Sequence, residues 1–169
     1  MSRQVIDMLA KLAALLGLSK KPPLYIRPLK EHDIGAVLAI EEKMYHYPWS
    51  ESIFKDCLKV GYSNWAYVKN EQLIGYVILS VAAAEAHILN ICLDPAYTGK
   101  GIGRQFLQET LAIAKKKKAE SVFLEVRPSN TVAVKLYKKA GFKQIGQRKN
   151  YYPAKEGRED ALVLSYQLE

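Results

Sequence analysis

The chain of 169 residues is about one domain long, and 49% hydrophobic against 25% charged residues excludes wholesale disorder. Cys57 and Cys92 stand far apart in apolar surroundings and His32, His46 and His87 are scattered, which argues against a metal site and a disulfide framework. A net charge of +8 favours an anionic partner, either a nucleic-acid or ribosomal surface or simply the complemented C-terminal ends of helices bearing Lys115–Lys118, Lys135, Lys138 and Lys139.

Residues 1–18 read as a short amphipathic helix, with Val5, Met8, Leu9, Leu12, Leu15 and Leu16 at helical spacing. Pro22-Pro23 ends it, so that residues 1–22 form a helix with linker, able to contact its own domain or a partner, and residues 23–169 form the main domain. The stretch has no cleavage pattern, and the longest nearly uncharged run, 73–84, is shorter than the roughly 20 residues a membrane span needs. A cytoplasmic chain with no membrane association is expected.

Leu24 to Leu29 alternates as a short strand. Asp33 is placed to cap a helix carrying Ile34, Val37, Leu38 and Ile40, Pro48 stops it, and Ser50 caps a second helix with Phe54 and Cys57 inward. β-Branched and aromatic residues then predict strands at 63–68, 73–81 and 86–93, the first two joined by a turn at Asn70-Glu71. A glycine-rich turn opens a long helix near Gly101, a strand follows at 121–126, and a helix with Ala133, Leu136, Tyr137 and Ala140 on one face is closed by Gly141. Two last strands, 142–149 and 160–167, are expected to be joined by a long loop. The order predicts an α/β fold whose central sheet starts antiparallel and later takes a parallel crossover, with helices on both faces.

Thr98-Gly99-Lys100-Gly101-Ile102-Gly103 lies where a strand gives way to a helix. Glycines there let backbone N–H groups close on an anion, and the helix N-terminus adds partial positive charge. Lys100 followed by Gly101 fails the Walker frame, and Phe106 fails the dinucleotide fingerprint. Glu125 is the one ionisable residue inside Ser121–Val126 and stands near the strand's carboxyl end, where α/β sheets bind ligands. A carboxylate held there tends towards a raised pKa that suits a general base; the competing reading is a half-exposed partner of Arg127. On pattern alone, Tyr137 is a core residue whose hydroxyl needs a partner, and Asn130 is a helix cap.

Gly101-Ile102-Gly103 resembles the pyrophosphate turn of the GNAT superfamily, with Thr98 where that motif usually has Gln or Arg. Leu124-Glu125-Val126-Arg127-Pro128-Ser129-Asn130, Leu136-Tyr137, Gly141-Phe142, Tyr47-Pro48-Trp49-Ser50 and Asn150-Tyr151-Tyr152-Pro153 resemble its ribosomal-protein alanine N-acetyltransferases, over roughly residues 24–168. The resemblance implies a GNAT fold and acetyl-CoA as cosubstrate, held by Gly99, Lys100, Gly101, Ile102, Gly103, Arg104 and Asn130, with the backbone of Ile91, Cys92 and Leu93 flanking its pantetheine. It implies Glu125 as base and Tyr137 as acid, no metal, and the N-terminal alanine amine of an S18-like ribosomal protein as acceptor, with no direct nucleic-acid binding required.

An N-terminal amine also fits on chemical grounds. An α-amino group titrates near 7.7–8.0, so roughly a tenth is neutral at pH 7, far more than of a lysine side chain. Trp49, Tyr151 and Tyr152, expected in loops, are placed to wall an extended peptide. The alternatives are a small-molecule amine or lysine acceptor, and a non-catalytic basic module that binds RNA.

Overall fold

A computed structural model describes Met8 and residues 24–169; apart from Met8, the predicted leading helix and linker lie outside the described residues. β1 (Leu24–Pro28) leads through a 3-10 turn at Glu31–Asp33 into α1 (Ile34–Met44) and α2 (Glu51–Lys59). The meander β2 (Ser63–Lys69), β3 (Gln72–Ala82) and β4 (Glu85–Leu93) follows, then α3 (Ile102–Lys116), β5 (Ser121–Val126), α4 (Thr131–Ala140), β6 (Lys143–Pro153) and β7 (Arg158–Gln167). The seven strands form one sheet in the order β1-β2-β3-β4-β5-β7-β6. β4 and β5 pair in parallel and the other neighbours antiparallel, giving the mixed sheet expected.

Each face of the sheet buries its own core. α1 and α2 cover Ala66, Val68, Tyr76, Ile78 and Cys92 with Val37, Ile40 and Phe54. α3 and α4 cover Tyr67, Val77, Leu79, Ile88, Val122 and Leu124 with Phe106, Leu107, Ile113 and Tyr137. The strict alternation of Ser121–Val126, with Val122, Leu124 and Val126 buried, leaves Glu125 on the opposite face of β5.

Three local expectations need correction. Ser50 stands before α2, but its hydroxyl pairs with that of Ser52 at 2.8 Å and makes no cap bond to the helix. Asp33 stands at the N-terminus of α1, but its carboxylate makes no cap bond to that helix; it accepts from Arg27 Nη1 and Nη2 at 2.7 and 2.8 Å and from the Lys30 amide at 2.9 Å, tying β1 to the turn before α1. The long loop predicted after residue 149 is strand instead, because β6 runs on to Pro153 and β7 begins at Arg158. Between Arg148↔Ala161 and Tyr152↔Glu159 the register shifts, and residues 149–151 bulge out with Asn150 at φ 51°. Tyr151 and Tyr152 therefore sit on a bulged strand, not in a loop, whereas Trp49 does lie in the connection between α1 and α2.

Candidate active site

The site begins with a fault in the sheet. β4 pairs with β5 only from Glu85↔Ser121 to Ile88↔Leu124, and beyond that point the two strands part. The same point carries a bulge in β4: Leu79 opposes Ile88 while Ile78 opposes Asn90, so Leu89 is the extra residue. A one-residue bulge inverts which side each later side chain faces. Ala86 and Ile88 lie in the α3/α4 core, but Cys92 lies in the α1/α2 core, opposite Tyr76. Ile91 and Leu93 turn to the α3/α4 side. Past the bulge β4 is held by β3 alone, and Gly75 makes that approach possible: a Cβ there would stand 2.7 Å from the Cys92 carbonyl oxygen.

The glycine turn stands at the mouth of the gap, just beyond the end of β4. Gly99 and Gly101 adopt φ 73° and 77°, and Gly101 in this left-handed conformation is the N-cap residue of α3. The first intrahelical bond across the turn runs from the Gln105 amide to the Gly101 oxygen at 3.2 Å. The amides of Ile102, Gly103 and Arg104 precede it, at a helix end whose first donors have no intrahelical acceptor. Unpaired amides at a helix N-terminus are suited to an anion such as a phosphate. Lys100 curls back to donate to the Ala96 oxygen at 3.0 Å, and Arg104 is exposed on the first turn.

Glu125 lies one residue past the last β4–β5 pair, with its side chain 23% exposed. Its partner is Arg148 on β6, Nε to Oε1 3.1 Å, and not Arg127. Arg127 instead pairs with Glu159 at 3.2 Å, donates to the Pro153 oxygen at 2.9 Å and lies 4.3 Å from the centre of the Tyr152 ring. Burial, and then the Glu125 charge nearby, pushes the Tyr152 phenol up. Tyr137 is buried on α4, and burial followed by Tyr152 and Cys92 raises its pKa, so that the hydroxyl stays protonated at neutral pH. Asn130 caps α4, its side chain accepting from the Ala133 amide at 3.2 Å. These residues converge on the parted strands from β4, β5, α4 and β6. Trp49 approaches from the α1/α2 side, its ring 5.5 Å from that of Phe54.

The sequence reasoning missed Glu41. It is 1% exposed, and its carboxylate accepts from the Trp49 amide at 2.9 Å, from the Tyr76 hydroxyl, and weakly from Asn90 Nδ2 at 3.4 and 3.5 Å. The signal was present: Glu41 falls four residues after Val37 and seven after Ile34, on the apolar face of α1. The neighbouring Cys92 thiol is pushed up to about 12, chiefly by burial and then by Glu41, and is inert at neutral pH. Among the described residues no group of His, Cys, Asp and Glu is placed to hold a metal, and no helix is long and apolar enough to cross a membrane.

A mixed sheet that opens between two parallel strands, with a helix N-terminus at the mouth of the opening, is the scaffold of an N-acetyltransferase. A model of the acetyltransferase (GNAT) family matches residues 34–142. The chain belongs to that family, within its ribosomal-protein alanine N-acetyltransferase branch. It is 35% identical over 140 residues to the [ribosomal protein bS18]-alanine N-acetyltransferase of Escherichia coli (strain K12), covering 83% of this chain and 95% of that one. The crystal structure of the ribosomal-protein-S18-alanine N-acetyltransferase from Escherichia coli superposes with a TM-score of 0.80 at 34% identity, over 86% of this chain and 94% of that chain. A Salmonella typhimurium structure, yncA with its cofactor acetyl-CoA, shares the fold at 17% identity and a TM-score of 0.71, over 88% of this chain and 95% of that chain.

Proposed function

We propose that this enzyme moves the acetyl group of acetyl-CoA to the α-amine of the N-terminal alanine of ribosomal protein bS18, in the cytoplasm. Residues 23–169 are the catalytic domain in this reading, and 1–22 an appended segment open to self or partner contact. The extended likeness to the Escherichia coli enzyme named for that reaction carries the choice of acceptor. The geometry agrees with a peptide, since Trp49 flanks the parted strands on one side while Tyr151 and Tyr152, rings 4.9 Å apart, stand by Glu125 on the other.

Acetyl-CoA, when bound, supplies an acetyl group activated as a thioester. The amides of Ile102, Gly103 and Arg104 and the left-handed turn at Gly99 and Gly101 would hold its pyrophosphate, with Lys100 adding charge. The backbone of Ile91, Cys92 and Leu93, unpaired on its β5 side, would flank the pantetheine, and Asn130 would orient it from the start of α4. The acceptor nitrogen forms its bond to the acetyl carbon as the carbon–sulfur bond breaks. Glu125 takes the proton the amine loses, directly or through one water, and Tyr137 gives its proton to the departing sulfur. Burial supports the second role, because it keeps the Tyr137 hydroxyl protonated until the sulfur needs the proton. Direct nucleic-acid binding plays no part in these steps.

The test is thiol release from acetyl-CoA with an alanine-initiated peptide of the bS18 N-terminus, the same peptide blocked at its N-terminus, and a polyamine panel. Release with the free peptide alone is expected. Turnover should fall about 100-fold or more in Glu125→Gln, the scale of a lost general base. Release with polyamines alone would retire the ribosomal acceptor, and wild-type turnover in Glu125→Gln would remove that carboxylate from the chemistry.

A further inference from the structure

Glu41 is a carboxylate with no cationic partner among the described residues, enclosed almost completely beneath the sheet. Burying a charge-bearing group costs heavily unless its oxygens are satisfied, and an apolar side chain of similar size would pack the same space without that cost. What the carboxylate adds is directional. One oxygen takes the Trp49 amide in the α1–α2 connection, and the other takes the Tyr76 hydroxyl on β3, while Asn90 leans in from β4 just past the bulge. One side chain on α1 thus ties the connection that carries Trp49 to β3 and to β4, the strand on one side of the gap. Tyr45, at the start of the same connection, is brought against Cys92. Phe54 completes the clamp, its ring 5.4 Å edge-on to Tyr76 and 5.5 Å from Trp49.

We infer that Glu41 is a positioning residue for the acceptor: it fixes the α1–α2 connection, and with it Trp49, against the parted strands, and so sets how tightly the incoming peptide is held. The inference rests on the peptide acceptor of the proposed function. It assigns Glu41 no proton transfer. Loss of the tie frees the Trp49 backbone and weakens the peptide, while the turn at residues 99–104 and the Glu125 and Tyr137 side chains, on other elements, keep their places.

The experiment is steady-state kinetics of the full chain, wild type and Glu41→Ala, with both substrates varied, alongside amide hydrogen exchange at Trp49. Glu41→Ala should raise the peptide KM about 10-fold or more, leave kcat and the acetyl-CoA KM within about threefold, and speed exchange at Trp49. Glu41→Gln, which keeps an acceptor oxygen for that amide, should recover most of the peptide KM. Should Glu41→Ala fail to fold, Tyr76→Phe carries the test, since it removes only the hydroxyl and keeps the ring; it should raise the peptide KM severalfold. An unchanged peptide KM in a folded variant, with only a lower melting temperature, would reduce Glu41 to a structural group and overturn the inference alone. A wild type that ignores the peptide yet acetylates another amine overturns the acceptor assignment, and this inference with it.

Discussion

Tyr137 shows how a side chain that meets a packing demand can also stand where the proposed chemistry needs a proton. Its ring belongs to the α3/α4 core, 5.6 Å from that of Phe142, while its hydroxyl comes within electrostatic reach of Tyr152 and Cys92 at the parted strands. Burial raises its pKa and weakens it as an acid in the ground state. The proton can pass to the leaving sulfur only because the same burial makes a thiolate there more basic than in water, and the raised pKa keeps the proton on the hydroxyl until that charge develops. Tyr137→Phe keeps the ring and removes the proton. On the proposed mechanism kcat should fall about 100-fold, within the usual range of an acid–base contribution, with acetyl-CoA affinity unchanged within about twofold. Stopped-flow acetyl transfer and equilibrium binding separate the two quantities. A large loss of affinity with kcat intact would assign the hydroxyl to cofactor binding instead.

At the scale of elements, the end of β6 is framed by Arg127 and by Arg158, Glu159 and Asp160 of β7. Glu159 on β7 accepts from the Ser129 amide at 2.9 Å and pairs with Arg127, and Arg127 in turn covers the Tyr152 ring. Arg158 donates to the Asn150 and Tyr151 oxygens at 2.6 and 2.7 Å, and Asp160 accepts from the Asn150 amide at 2.8 Å. Arg158-Glu159-Asp160 thus acts as one frame for the bulge that presents Tyr151 and Tyr152. Glu159→Gln should release Arg127 from its place over Tyr152, raising the peptide KM severalfold while kcat stays within about twofold. Stability should fall by under about 1 kcal/mol, as expected of a partly exposed pair, and denaturant melts beside the kinetics check both figures. The frame also marks where the sequence stopped being legible. An apolar run ended by Pro128 placed β5, inward faces at helical spacing placed α3 and α4, and glycines marked the turn at 99–101. A bulge removes the alternation that reveals a strand, so residues 150–153 read as loop, and Leu89 gave no warning that β4 turns its faces over there. The partners of Glu125 and Arg127 were equally hidden, because they arise from pairing between strands far apart in the chain.

Over the whole molecule, three carboxylates join elements and hold their protons less readily than usual. Asp33 is lowered chiefly by its hydrogen bonds from Arg27, against the opposing effect of burial, and links β1 to the turn before α1. Asp94 is lowered by the Ala96 amide and then by Lys43, linking the end of β4 to α1. For Glu159 burial acts upward, but Ser129 and Arg127 outweigh it. A carboxylate whose folded pKa lies below its unfolded one contributes stability that is fully present above the unfolded value and is lost as pH falls through the folded one. All three therefore withdraw support below about pH 4, where the chain's excess of basic residues already adds self-repulsion. Asp33 is the most enclosed of the three and its Arg27 contact is two-pronged, so its share is the one to isolate. Asp33→Asn should be clearly less stable than wild type at pH 7, because Arg27 then loses its charged partner. The gap should narrow steadily from pH 5 to pH 2, as the wild-type carboxylate takes up its proton and comes to resemble the amide. Denaturant midpoints across that range measure the gap directly, and a gap that stays constant down to pH 2 would mean that the Arg27 contact does not hold the Asp33 pKa down.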